Sequence, residues 1–177
     1  AARGGGLGVP LQPGPGVGGH CIAVDPWFIV SKTPDEARLI RMAREVNDSK
    51  PEWVLEKTKL SVAEFLQANP HKTALDVTIA CLGLAFKPDI DDLRESPAVA
   101  ITQKILATHP GPVIAVEPNI EELPKQLAGQ LQLVTIESAI ANADVIVLLV
   151  DHKAFKKIPS SILASHEVVD TRGVWSA

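Results

Sequence analysis

From Val77 onward the sequence alternates between short apolar runs and helical patterns. Val77–Phe86 is almost continuously apolar, as strands buried on both faces are. Ser96-Pro97 predicts a helix to about Thr108, and another helix is predicted at 137–143. Further strands are predicted at 112–116, 131–136, 145–150 and 167–170. Strands that alternate with helices at this spacing form parallel sheets. The sequence therefore predicts an α/β fold, with a Rossmann-like, doubly wound parallel sheet over residues 71–177.

Two helices are predicted upstream of the sheet. Thr33-Pro34-Asp35-Glu36 is a capping box that predicts a helix to about Val46, and Ser49-Lys50-Pro51-Glu52 predicts a second helix to Ala68. The second helix carries two apolar stripes, one through Val54 and Val62 and another through Trp53 and Leu60. Two stripes indicate either packing against both its own domain and a second copy or a helix sunk in one core. On the first interpretation, residues 33–70 form a helical dimerisation segment, with a homodimer through helix 49–69.

Composition excludes several classes of partner. The 17 basic and 21 acidic residues give a formal net charge of −4, which argues against a nucleic-acid binder. The longest apolar run, Val145–Val150, is far shorter than the ~20 residues that a membrane-spanning helix needs. The first residues carry no charged-then-apolar leader, and two cysteines make no disulfide framework. The expectation is a cytoplasmic globular protein that binds neither nucleic acid nor membrane.

The glycine-rich first part of the chain, residues 1–32, predicts a loop. Residues 1–6 have no periodicity and are expected to be disordered. Gly14–Gly19 matches the dinucleotide pattern GxGxxG, but prolines precede it and His20–Pro26 carries no helical pattern, so a strand–turn–helix site is not expected. The interpretation favoured instead is a loop that brings backbone close to a ligand and directs Cys21 and Asp25 toward it. Cys21 is a candidate nucleophile, although free cysteines are mostly small buried apolar residues, as expected for Cys81.

Polar residues follow the predicted strands at one edge of the sheet. Lys87, after the first strand, suits a phosphate or a sugar hydroxyl, although the charged stretch behind it is by itself more typical of a solvated turn. Arg172 follows the last strand and is predicted to converge with Lys87. Glu117 stands where dinucleotide folds hold a ribose, but without glycines after the first strand it is interpreted as structural.

Two long motifs, GPGVGGHCIAVDP (14–26) and GLAFKPDIDDLRESPA (83–98), resemble the UDP-glucose/GDP-mannose dehydrogenase family. The resemblance extends from about Gln12 to Trp175. Within the family, the GGHC form followed by Val-Asp-Pro is most similar to members that act on UDP-N-acetylhexosamines, N-acetylmannosamine among them. The resemblance implies a UDP-binding domain at 71–177, central helices at 33–70 and a remnant of the central domain at 1–32.

The resemblance also implies a reaction. The sugar C6 alcohol would be oxidised to a carboxylate with two NAD⁺, through a thiohemiacetal and a thioester on Cys21, for the synthesis of surface polysaccharide. Asp25 would support the proton transfers and the hydrolytic water. The other residues that match family positions would line the sugar (Gly16, Gly18, Gly19), contact the nucleotide sugar (Phe86, Lys87), reach NAD (Arg94) and contact the uridine nucleotide (Arg172).

The family's NAD-binding domain has no counterpart in these 177 residues. Family members are more than twice as long, so the resemblance implies a C-terminal portion that has little or no turnover alone. A separate NAD-binding half is one possible partner. The alternative is a non-catalytic, dimeric nucleotide-sugar-binding module.

Overall fold

The structure, a computed structural model, describes residues 14–175. The prediction for residues 1–6 lies outside them. Along the chain, the helices and strands are α1 (Asp25–Lys32), α2 (Arg38–Ala68), β1 (Ile79–Leu82), α3 (Pro97–Thr108), β2 (Val113–Val116), β3 (Gln132–Leu133), α4 (Ile136–Asn142), β4 (Val145–Leu148), α5 (Ser160–Leu163) and β5 (Glu167–Asp170).

The five strands form one sheet in the order β3-β2-β1-β4-β5, and every neighbouring pair is parallel. Leu82, at the end of β1, lies between Val116 of β2 and Leu148 of β4. The chain winds outward from β1 in one direction through β2 and β3, then returns to β4 on the other side. The predicted doubly wound parallel sheet is thus confirmed, and its switch point lies between β1 and β4.

Each face of the sheet is covered by helices. Cys81 and its same-face neighbours pack against α2 and α3, where Val54 and Ile101 are fully buried. Leu82 and the residues beside it on the opposite face pack with α4, α5 and the buried Phe155. Burial of a side chain as large as Ile101 or Phe155 contributes ~1.5–3 kcal/mol. The β1 and β4 side chains are buried on both faces, which explains why their runs are continuously apolar.

The two predicted upstream helices are one helix, and this prediction was wrong. Thr33 is not an N-cap, because its Oγ1 donates to the Ile29 carbonyl at the end of α1. Pro51 lies inside α2 and starts no new helix. The buried positions of α2 lie on both sides of Pro51, and the packing of Arg44, Val54 and Leu55 therefore outweighs the local stop signal.

The structure also contains a helix that the sequence reading missed. α1 begins at Asp25, within the stretch that was expected to be non-helical. Its start has a recognisable signal, with Asp25 in the first turn followed directly by a proline. Among residues 14–175, no helix is long and apolar enough to cross a membrane.

Candidate functional site

A cavity of about 380 Å³ opens at the switch point, beyond the carboxyl ends of β1 and β4. Open α/β sheets bind their ligands at this place. Three segments line it: the glycine loop, the connection after β1 and the residues after β4 and β5. It brings together five of the residues predicted for the site, namely Gly16, Gly18, Phe86, Lys87 and Arg172.

The glycine loop packs directly onto the connection between β1 and α3. A Cβ on Gly18 would overlap the carbonyl oxygen of Glu95 and lie 2.7 Å from Cδ of Pro97. Gly19 has φ +85° and lies against the ring of Phe86, so both positions require glycine. The Val17 N–H donates to Oδ1 of Asn47 on α2, which holds the middle of the loop. The glycines thus allow the loop backbone to pack closely on this connection, and its predicted approach to a ligand stays a prediction.

Cys21 and Asp25 lie at the turn between this loop and α1. Both are exposed, and the Cys21 carbonyl accepts the N–H groups of Val24 and Asp25. Neither lines the cavity, but Ile22 does. The buried Arg44 donates through Nη1 to the Ile22 carbonyl (3.4 Å) and through Nη2 to Asp48 (2.6 Å). The turn therefore presents Cys21 beside the cavity and is supported from α2.

The two thiols differ sharply in accessibility. Cys81 is fully buried in β1, and burial raises the pKa of its thiol to about 12. Cys21 is exposed. We expect a disulfide reagent such as DTNB to modify one thiol in the native chain at pH 8 and both in the unfolded chain, because only the accessible thiolate reacts. In Cys21→Ala, rapid modification of any thiol before unfolding would contradict this assignment.

Lys87 and Phe86 extend from the connection after β1. The Lys87 ammonium lies 5.6 Å from the centre of the Phe86 ring, within cation–π range. The Phe86 N–H donates to the Asp92 carbonyl at 3.1 Å, which closes the connection back on itself. Lys87 is exposed at the cavity rim, where its charge is available to an anionic ligand.

Arg94 forms a bidentate ion pair with Asp92 and does not line the cavity. Its Nη2 and Nε donate to the Asp92 carboxylate at 2.6 and 2.9 Å. The hydrogen bonds from Arg94 lower the pKa of Asp92 to about 2, and the same pair raises the pKa of Arg94, with a smaller contribution from Cys21. The guanidinium is therefore engaged by Asp92, within the connection between β1 and α3.

Arg172 is held in place by two carboxylates. Asp151 accepts from its Nε (2.9 Å) and Nη2 (2.8 Å), and the guanidinium lies against Gly14. Asp170 accepts the N–H groups of Arg172, Gly173 and Trp175, which shapes the turn after β5. The predicted convergence of Arg172 and Lys87 on one cavity is confirmed. Asp151, which follows the β4 run, was missed by the sequence reading.

Glu117 faces the protein interior rather than the cavity, in agreement with the structural interpretation. It is buried at the end of β2, and its Oε2 accepts the N–H groups of Leu84 (2.7 Å) and Ala85 (3.0 Å). Burial on its own raises the pKa of Glu117, but the hydrogen bonds from His152, Leu84 and Ala85 outweigh it and leave the pKa below its ordinary value. The carboxylate therefore stays charged in the folded protein at neutral pH.

This lowered pKa predicts a loss of stability in acid. A carboxyl group whose pKa is lower in the folded state stabilises the fold above its ordinary pKa of 4.5, and the contribution disappears as the pH falls through the folded value. Glu117→Gln should be less stable than the wild type at pH 7 and lose stability less steeply between about pH 5 and pH 3. Urea unfolding across this range measures both. Glu121→Gln, at an exposed site, is the matched control, and equal slopes for Glu117→Gln and wild type would contradict the prediction.

Residues 14–175 do not form a complete NAD site. Within them, the glycine loop is followed by the Cys21 turn, and α1 starts only at Asp25. Glu117, at the position that would hold a ribose, is fully occupied by backbone N–H groups and by the side chains of His152 and Asn119. Arg94 is the remaining predicted contact to the cofactor. In the same part of the chain, no group of three or more His, Cys, Asp or Glu side chains has the geometry to hold a metal ion.

Comparison with known proteins agrees with this arrangement. Residues 80–177 match the UDP-glucose/GDP-mannose dehydrogenase family, UDP binding domain, and residues 3–49 match the central domain of the same family. The chain belongs to the UDP-glucose/GDP-mannose dehydrogenase family. The match covers both motifs that carry the resemblance in the sequence.

Individual relatives show which members of the family this chain is similar to. The chain is 60% identical to a UDP-N-acetyl-D-mannosamine dehydrogenase of Salmonella typhi over 93% of its own length, but spans only 39% of that relative. It is 53% identical to an NDP-N-acetyl-D-galactosaminuronic acid dehydrogenase of Ralstonia nicotianae, over 94% of this chain and 37% of that one. The solved UDP-D-ManNAc dehydrogenase of Pyrococcus horikoshii superimposes with a TM-score of 0.72 at 31% identity, over 92% of this chain and 36% of that one.

Proposed function

We propose that this chain is the C-terminal portion of an NAD-dependent UDP-N-acetyl-D-mannosamine 6-dehydrogenase, which binds the nucleotide sugar and supplies the nucleophile. The observation that carries the proposal is the convergence of Lys87 and Arg172 on one cavity beside the Cys21 turn. Relatives at 60% and 53% identity carry names with an N-acetylhexosamine, which supports that class of substrate. The product would be a uronic acid for surface polysaccharide.

The charges around the cavity suit a nucleoside diphosphate. Lys87 and Arg172 supply two cationic groups, while Asp151 neutralises part of the Arg172 charge and fixes its direction. Gly16 and Gly18 bring the loop backbone to the wall of the cavity, where a sugar fits without side-chain obstruction. Phe86, behind Lys87 and against Gly19, forms an apolar wall. These observations support a pyrophosphate position between Lys87 and Arg172, with the sugar toward the glycine loop.

Cys21 is the proposed nucleophile toward the aldehyde at C6 of the sugar. Its thiolate would form the carbon–sulfur bond, and Asp25, one helical turn on, would support the proton transfers and the later attack of water. Arg94 is the proposed contact to NAD. Because residues 14–175 offer no complete NAD site, the hydride transfers are assigned to a complex with an NAD-binding half.

Two unpaired thiols fit a reducing compartment, and the proposed location is the cytoplasm.

The outer face of α2 is the proposed dimer interface. Its exposed apolar side chains are spaced three, four or seven residues apart, as in the seam of paired helices. They are Leu39, Met42, Val46, Trp53 and Leu60. The opposite side of α2 packs on its own sheet through Val54, Leu55 and Thr58. A helix with one face on its own core and a heptad-like apolar stripe outside suits pairing with a second copy.

A non-catalytic nucleotide-sugar-binding module remains the second candidate, because the described residues build the sugar cavity but no complete NAD site. Two measurements distinguish the candidates. UDP-N-acetylmannosamine should protect Cys21 from alkylation, while NAD⁺ alone should not. NADH formation by the chain or its complex with an NAD-binding half, lost in Cys21→Ala, supports the dehydrogenase. Saturable binding without Cys21 protection or NADH formation would favour the binding module.

A further inference from the structure

A buried Glu–His pair lies behind the wall of the cavity. His152, two residues after the β4 run, is fully buried, and its Nε2 lies 2.9 Å from Oε2 of Glu117. Its Nδ1 faces two N–H donors, the Asp89 backbone at 2.9 Å and Nδ2 of Asn119 at 3.1 Å. Nδ1 must therefore be the acceptor, so the ring proton is on Nε2 and is donated to Glu117.

The pair holds one short segment at both ends. Glu117 accepts the N–H groups of Leu84 and Ala85, which come directly before Phe86 and Lys87. His152 accepts the N–H of Asp89, which comes two residues after Lys87. We call residues 84–89 the Lys87 segment. Because Glu117 and His152 are hydrogen-bonded to each other, one buried pair holds both ends of the segment.

The far end of the Lys87 segment has an unfavourable backbone conformation that these bonds maintain. Asp89 is a non-glycine residue with φ +60°, a region that costs energy for an L-residue unless the surroundings fix it. Its N–H is bound by His152, and its Oδ1 accepts the N–H of Lys153 at 3.0 Å. Removal of the His152 acceptor therefore frees the segment to relax away from this conformation.

We infer that Glu117 and His152 are positioning residues that preorganise the Lys87 segment for the nucleotide sugar. The inference rests on the proposed function, because it assigns their effect to Lys87 and its ligand. A lysine on a relaxed loop must be ordered when the ligand binds, and that cost lowers affinity. Neither Glu117 nor His152 touches the cavity, so both act through the segment.

A double-mutant cycle separates positioning from a general role in stability. Glu117→Gln and His152→Phe should each weaken UDP-N-acetylmannosamine binding about three- to tenfold, the cost of ordering one long side chain. In the Lys87→Ala background, the same changes should alter affinity less than about twofold. Ile105→Val, in the core of α3 away from the cavity, is the control for lost stability and should leave affinity unchanged. Affinities of all variants are measured by NMR titration, which reaches millimolar dissociation constants.

A second arm needs no ligand. Amide hydrogen exchange at Asp89 should accelerate at least about tenfold in His152→Phe relative to Ile105→Val, because the amide loses its acceptor. Equal affinity losses with and without Lys87, or unchanged affinities, would overturn the positioning role. Unchanged Asp89 exchange would overturn it as well. The wild type could bind no nucleotide sugar while Asp89 exchange still accelerates in His152→Phe. In that case the proposed function and the assigned effect on binding both fail, but the conclusion that Glu117 and His152 fix the backbone of the segment stands.

Discussion

Lys87→Ala should weaken binding of UDP-N-acetylmannosamine about 10- to 100-fold, as loss of a hydrogen bond to a charged group costs about 1.5–3 kcal/mol. Lys87 is exposed at the cavity rim, on a segment whose backbone is fixed by buried hydrogen bonds. Removal of its side chain should therefore change the stability of the fold little and the affinity for the ligand strongly. Unfolding free energy should change by less than about 0.5 kcal/mol, as for most exposed substitutions.

Two further variants make the Lys87 result specific. Lys125→Ala removes an exposed lysine from the connection between β2 and β3, outside the cavity, and should leave affinity unchanged. Lys87→Arg keeps the charge and should retain part of the affinity. Calorimetry on the wild type and the three variants gives the comparison. Equal affinities for wild type and Lys87→Ala would remove Lys87 from the binding site.

Leu60→Glu should dissociate the proposed dimer, raising its dissociation constant by roughly 100-fold or more. The change occurs in both copies, and each loses a buried leucine worth about 1.5–3 kcal/mol and gains a charge at the interface. Leu60 is half-exposed in one copy and lies on the outer stripe of α2. The sheet packs on the other side of α2, so the folded monomer should remain.

Sedimentation at micromolar concentration measures this effect, and circular dichroism checks the fold. Ile162→Glu makes a similar change at an exposed apolar position on α5, which packs on the opposite face of the sheet from α2. This control should remain dimeric. A wild-type chain that is strictly monomeric, or a Leu60→Glu protein that is as dimeric as the control, would contradict an interface on α2.

The sheet could be predicted from the sequence because its order depends on local patterns. Runs such as Val145–Val150 are too apolar for anything but a strand buried on both faces, and β4 lies within that run. The single helix α2 was predicted as two, since the capping residues and Pro51 give local signals that long-range packing overrides. α1 was missed because its signal is only one proline after an acidic residue.

The site was predicted in part. The motifs contain Lys87 and the glycines, and the edge of a parallel sheet explains why Arg172 meets Lys87. Asp151 and His152 escaped notice because they belong to a short polar stretch after β4, Asp151-His152-Lys153, with no spacing that distinguishes a support from a solvated turn. Their partners, Arg172 and Glu117, lie 21 and 35 residues away and become visible only in three dimensions. The roles of Cys21, Asp25 and Arg94 and the three-part division at 1–32, 33–70 and 71–177 stay predictions.

The most direct test of the central claim is a calorimetric titration of the purified chain with UDP-N-acetylmannosamine, with NAD⁺ as the comparison ligand. We expect saturable heat with the nucleotide sugar and none with NAD⁺, because the described residues build a cavity for the first and no complete site for the second. A folded chain that binds NAD⁺, or one that gives no heat with the nucleotide sugar, would contradict it.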